Sequence, residues 1–273
     1  MKVLNGWYVS LGTVLAASTL GSAAAAQDAI DDATQSVYAD GWADGDNGGT
    51  GFGPWSLSFD GDATALNSIY ASDPHFIDGV GVGPLGANQL GTPAFGLTTD
   101  ASTGASVQAV RAFDAPMQPG DRFTITLDGS ALEGDPRIGN RFELLGADGV
   151  PRYTLRTSLG SNDDDWTQNG NNLSIPAGDA FRVSFTLQDI DSFRASTINL
   201  DNTIGTFTAT TTLGGTLGQP IDRIRFISSG TGSSADGARE FFFDDLALTR
   251  VPEPASMLLS AIAGLVAVRR RRA

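Results

Sequence analysis

Through the middle of the chain, apolar and polar residues alternate one for one. In "AFRVSFTL", Phe181, Val183, Phe185 and Leu187 share one face, and Arg182, Ser184 and Thr186 share the other. In "DRFTITLDG", Phe123, Ile125 and Leu127 alternate with Arg122, Thr124 and Thr126. "PRYTLRTS" sets Tyr153 and Leu155 against Arg152, Thr154 and Arg156, and "GPWSLSF" puts Trp55, Leu57 and Phe59 on one face. A period of two is that of a strand with one face in a core and one in water. "IDRIRFIS" and "REFFFDDLAL" read as further strands, and the threonine-rich "TIGTFTATTTL" as a weaker one.

Turn chemistry separates these runs. "QPGD" and "PAGD" each precede a strand, and "ADG" at Ala147 to Gly149 joins "RFELLG" to "PRYTLRTS" as a hairpin. No window between residues 40 and 250 keeps a helical stripe. Many short antiparallel strands with Gly and Asp turns predict an all-β fold, an antiparallel β-sandwich of jelly-roll type. The 34 glycines follow no strict short repeat, which disfavours collagen-like and calcium β-roll architectures. Residues 41–53, "GWADGDNGGTGFG", and the weakly patterned residues 79–105 are expected to be long loops over the sandwich, where binding tends to sit.

The two ends obey other rules. Lys2 is followed by an apolar stretch from Trp7 to Leu20 and by Ala24-Ala25-Ala26. This is the layout of a signal peptide over residues 1–26, an N-terminal helix cleaved between Ala26 and Gln27. At the other end, Pro252 and Pro254 block helix continuation, and Ala255 to Val268 carry no charge. That run makes a short C-terminal transmembrane helix of about 21 Å, less than a hydrocarbon core of about 30 Å. Arg269, Arg270, Arg271 and Arg272 should stay on the cytoplasmic side as a stop-transfer cluster.

Val251-Pro252-Glu253-Pro254, then a short apolar helix, then an arginine cluster, resembles the PEP-CTERM sorting signal of exported Gram-negative bacterial proteins. The resemblance implies recognition at Pro252, Glu253 and Pro254 by a membrane protease, exosortase. It also implies transient membrane anchoring, then a place at the cell surface or in an extracellular polysaccharide or biofilm matrix. The organisation expected is a signal peptide (1–26), a β-sandwich domain (27–250) and a sorting signal (251–273).

Charge narrows the partners. Lys2 and the terminal arginines account for five of the 17 cations, and Glu253 for one of the 31 acids. The body keeps 12 cations, all arginine, against 30 acids, a net of about −18. Such a surface repels phosphate backbones, which argues against nucleic-acid binding. Cysteine is absent, so no disulfide, thiol catalysis or thiolate metal site exists.

The opening "YADGWADGDNGGTGFGPWSLSF" and the closing "REFFFDDLALTR" resemble concanavalin A-like and other jelly-roll modules of bacterial surface proteins. That family often binds glycans and includes members with no known ligand. Asp40, Asp44 and Asp46, with Asn47, offer hard oxygen donors suited to Ca²⁺, or else cap a polar turn. Trp42, beside that loop, and Trp166, after Asp163 to Asp165, are candidates for stacking on sugar rings, with Asn171 or Asn172 bonding hydroxyls; the alternative places Trp166 on the sandwich edge. Asp244 and Asp245 fall within one strand, so one of them needs a partner, calcium or an arginine. The body's glutamates, Glu133, Glu143 and Glu240, are widely separated, which counts against a two-carboxylate hydrolase. His75 is the only histidine, and no nucleophile-elbow motif surrounds it. The expectation is a non-enzymatic surface protein that binds or organises exopolysaccharide. The alternatives are a purely structural surface protein and a glycan-active hydrolase or lyase.

Overall fold

The computed structural model describes residues 28–60, 66–70, 93–100, 105–129, 139–157, 165–168, 171–176, 180–199, 207–229 and 238–251. The expected signal helix, Ala26 and Gln27, Pro252 to Pro254, the C-terminal helix and Arg269 to Arg272 lie outside the described residues, as do His75, Glu133, Asp163 and Asp164. Among the described residues no helix is long and apolar enough to cross a membrane. Residues Ala26–Pro252 belong to one compact unit.

That unit is a two-sheet sandwich. One sheet runs β13 (Phe207–Thr212), β12 (Ser192–Asn199), β11 (Phe181–Asp189), β6 (Arg122–Gly129), β15 (Ala238–Thr249), β4 (Ala94–Asp100) and β3 (Leu66–Tyr70), with β1 (Ala29–Asp31) also paired to β15. The other runs β10 (Asn171–Pro176), β9 (Asp165–Gln168), β8 (Pro151–Thr157), β7 (Arg141–Gly146), β14 (Ile221–Ser229), β5 (Ser106–Phe113) and β2 (Phe52–Asp60). Every strand pairing is antiparallel. The chain changes sheet between β1 and β2, β2 and β3, β4 and β5, β5 and β6, β6 and β7, β10 and β11, β13 and β14, and β14 and β15. That back-and-forth path is the jelly-roll form of an all-β sandwich.

The alternating residues meet in one core. Phe123, Ile125, Leu127, Val183 and Phe185 face Phe142, Leu144, Tyr153, Leu155 and Phe226 from the opposite sheet, all buried. Rings bridge the layers: Phe226 stacks on Phe243 at 3.7 Å with planes 5° apart, and Phe142 lies 5.4 Å from Phe185. With no disulfide, this aromatic burial is the main stabilising term.

Two loop expectations need correction. Residues 79–105 contain strand β4, paired with β15 and β3. Its Phe95 and Leu97 are completely buried, but "AFGLTTD" offers too few alternations between glycines to announce a strand. The glycine-rich residues 41–53 form a closely packed strap over β1. Gly49 has φ +68°, and a Cβ there would lie 2.0 Å from the Ile30 carbonyl oxygen. Thr50 exchanges backbone hydrogen bonds of 2.9 and 3.0 Å with Ile30. Only glycine permits this approach of two backbones.

Candidate functional site

The strap is held by a buried cation. Along β5, Val107, Ala109, Arg111 and Phe113 share the inward face. Arg111 pairs with Asp31, and both side chains are fully buried. Its guanidinium also donates to Asn47 Oδ1 at 2.9 Å, the Gly48 carbonyl at 2.6 Å and the Gly53 carbonyl at 2.8 Å. It lies 4.7 Å above the Phe52 ring and 5.0 Å above Trp55. The Tyr38 hydroxyl donates to Asp31 at 2.7 Å and accepts from Trp55 Nε1 at 3.0 Å. Burial raises the Asp31 pKa, and the adjacent Arg111 charge opposes that rise. This network fastens the strap to the core. Sequence reasoning missed it, although an arginine on the apolar face of "SVQAVRAF" was the available signal.

The expected calcium loop has another use. Asp44 Oδ1 accepts the Leu57 N–H at 2.8 Å, and Asp46 Oδ2 accepts the Ala43 N–H at 2.7 Å. These are turn-capping contacts, and Asp40 stands exposed in the preceding turn. Among the described residues no group of three or more His, Asp or Glu side chains is placed to hold a metal. The Asp40–Asp44–Asp46 set therefore does not fit Ca²⁺.

The two candidate sugar-stacking rings are core residues, which corrects that expectation. Trp42 is 4 % exposed and packs at 5.0 to 5.8 Å against Trp55, Phe95 and Phe243. Trp166 is 0 % exposed, 5.3 Å from Phe181 and 5.7 Å from Phe241. Both rings gain more from filling the space between sheets than from facing water. Asp165, Asn171 and Asn172 lie on β9 and β10. Glu143 is held by Arg225 at 2.5 Å.

The open site lies elsewhere, at an irregularity in β15. Asp244 pairs with Thr126 and Ala247 with Thr124, so β15 carries one residue more than β6 between these points. This is a β-bulge, and Asp245 takes φ 56° in it. The bulge separates the two carboxylates. Asp245 turns out to solvent, pairs with Arg182 at 3.0 Å and accepts from the Thr126 hydroxyl at 3.2 Å. Asp244 is buried, accepts the Ala33 N–H at 2.9 Å, and has its pKa pushed up to about 7 by burial. The neighbouring Asp245 and Asp32 charges add to that rise.

Beside the bulge the outer face of the eight-stranded sheet is indented. The groove has a volume of about 320 Å³. Its lining includes Asp32, Arg122, Thr124, Arg182, Asp245 and Thr249. Ile30, half exposed, and Ala247 supply apolar floor. Hydroxyls, two guanidiniums and two carboxylates around an apolar strip can hydrogen-bond a polyhydroxylated ligand from several directions.

The chain leaves the sandwich through a clamp. The buried Arg250 guanidinium donates to the Pro116 carbonyl at 2.7 Å, to Asp121 at 2.8 Å and to the Ala115 carbonyl. The Arg250 N–H is accepted by Asp28 at 2.6 Å, and the Val251 N–H by Asp121 at 2.9 Å. The first strand of the unit and its last thus lie side by side.

Residues 250–272 match the family model described as the PEP-CTERM protein-sorting motif. The chain carries a PEP-CTERM sorting signal. The signal implies export and C-terminal membrane anchoring before processing. Its first matched residue is the clamped Arg250, so Val251 alone separates the anchored body from Pro252. No curated protein sequence matches the chain. Among solved structures, lectin II from Ulex europaeus is similar at 12% identity and TM-score 0.43, covering 71% of this chain and 92% of that one. The catalytic domain of a glycoside hydrolase family 131 protein from Coprinopsis cinerea is similar at 10% identity and TM-score 0.42, covering 59% and 71%. A carbohydrate esterase from the Shiga toxin-encoding bacteriophage phi24B is similar at 12% identity and TM-score 0.41, covering 71% and 88%.

Proposed function

We propose that this is an exported surface or matrix protein whose β-sandwich binds extracellular polysaccharide in the groove beside the β15 bulge. The groove carries the reading: an open indentation in the outer face of the sheet, with hydroxyl and charged groups spaced across neighbouring strands. Groups carried on paired strands lose less backbone freedom on binding than groups on a free loop. The sorting signal supports the location. A membrane protease of the exosortase type would process the chain at Pro252 to Pro254, which follow Arg250 and Val251 in sequence.

A glycan-cleaving reading has one observation in its favour, that Asp32 and Asp245 both line the groove. Against it, Asp245 is committed to Arg182, and Asp32 caps the Thr34 N–H at 2.8 Å. Asp244, the carboxyl with a pKa near 7, does not line the groove.

Affinity electrophoresis through gels holding different extracellular polysaccharides tests the binding reading. The parent should be retarded by at least one polysaccharide, and Thr124→Trp, which fills the groove, should lose tenfold or more of that affinity. Equal retardation of both would remove the groove from the account, and no retardation would favour a purely structural role. Release of reducing sugar from any of these gels would favour cleavage.

A further inference from the structure

The other sheet has its own unusual arrangement of charge. In register, Arg141 of β7 stands directly opposite Arg156 of β8. Phe142, Leu144, Tyr153 and Leu155 point into the core, so alternation puts both arginines on the outer face. Directly opposed residues have Cβ atoms about 4.5–5.5 Å apart, and like charges there are destabilising. Both arginines are partly buried, which sharpens the repulsion.

Six of the body's arginines are matched with anions. Arg111, Arg152, Arg182, Arg223, Arg225 and Arg250 each meet a carboxylate. Arg141 and Arg156, like Arg122 and Arg194, have no ion pair among the described residues, but only Arg141 and Arg156 stand opposite one another. The nearest carboxylate along β7, Glu143, is already held by Arg225 through two contacts of 2.5 and 2.7 Å.

We propose that Arg141 and Arg156 form an anion clamp for the carboxylate of an acidic sugar, so that this face grips a uronate-containing polysaccharide. Two planar guanidinium forks on adjacent strands can bind a carboxylate from both sides, a geometry that lysines would not supply. On the same face, the cross-strand row continues from Arg141 through Ile227 to Gln108 and Ser58. Ile227 is buried, and beyond it Gln108 and Ser58 offer an amide and a hydroxyl. The body's net charge of about −18 resists long polyanions at low salt, so the clamp selects a local carboxylate where salt screens the rest. The site is on the opposite sheet from the groove, so this inference goes beyond the groove reading and survives its failure.

The test is thermal unfolding of the full chain in about 0.15 M salt, where charges beyond about 8 Å are largely screened. The probes are a polyuronate, the same polymer fully methyl-esterified, and inorganic sulfate. At saturating polyuronate the melting temperature should rise by roughly 5 °C. The esterified polymer should give no rise, and Arg141→Gln and Arg156→Gln should each abolish it. Without polymer, both variants should melt at or above the parent temperature, because each removes one member of a repelling pair. Thr124→Trp should respond to polyuronate as the parent does, which separates this site from the groove. An equal rise in parent and Gln variants would overturn the proposal, as would a rise with sulfate alone. Gln variants that melt well below the parent without polymer would also overturn it.

Discussion

Asp244 is a carboxyl with no ion pair among the described residues, and replacing it with asparagine should make the protein less sensitive to alkali. The asparagine amide oxygen can still accept the Ala33 N–H now held at 2.9 Å. It removes a charge that burial disfavours and that Asp245 and Asp32 repel. In the native state the carboxyl titrates at about 7 against an ordinary 3.8. The folded protein therefore binds this proton more tightly than the unfolded chain. The stability this contributes is fully present below about pH 4 and is lost as pH rises through 7. At about 1.36 kcal/mol per pH unit the gap amounts to roughly 4 kcal/mol, an upper figure because the bulge can relax around the charge. Urea unfolding of parent and Asp244→Asn, measured from pH 4 to 8.5, reads the effect. The difference in unfolding free energy should move in the variant's favour across this range, by more than about 1 kcal/mol. Asp31, whose pKa is also raised by burial, slopes both curves alike and cancels in the difference. Parallel curves, or a variant that weakens as pH rises, would refute the reasoning.

Other consequences follow from the strap. Arg111→Met leaves Asp31 buried without its cation and should cost about 3–5 kcal/mol in urea unfolding. Adding Asp31→Leu should recover part of that loss, and a double variant worse than the single would contradict the ion-pair account. Gly49→Ala drives a methyl group into the Ile30 carbonyl at a positive φ and should cost about 2 kcal/mol or more. A neutral result there would mean that the strap does not pack on β1 as described.

The sandwich was legible because its strands are long enough to show their period. β6, β11, β8 and β14 carry at least two inward apolar residues each, and the turn at Ala147 to Gly149 closes as expected, with Gly149 at φ +77°. β4 was not legible, because Phe95 and Leu97 are its only large inward residues and glycine separates them. The strap misled for a chemical reason. Asp and Gly in a loop serve calcium and tight backbone packing equally well, and the choice was made by Arg111, about 60 residues away in sequence. Trp42 and Trp166 misled because a large ring beside polar residues suits a sugar or a core. The groove could not be foreseen at all, because it depends on one extra residue in β15, and a bulge leaves no mark in a pattern of period two. The clamp at Arg250 was hidden in the same way, since its acceptors come from residues 115 to 121.

Mapping amide chemical-shift changes on the protein as a retained polysaccharide is added tests the central claim most directly. The account predicts the largest changes at Ile30 to Asp32, Arg122 to Thr124 and Ala247 to Thr249, which converge on the groove across β1, β6 and β15. Changes confined to the strap, or to the β9–β10 pair, would contradict it.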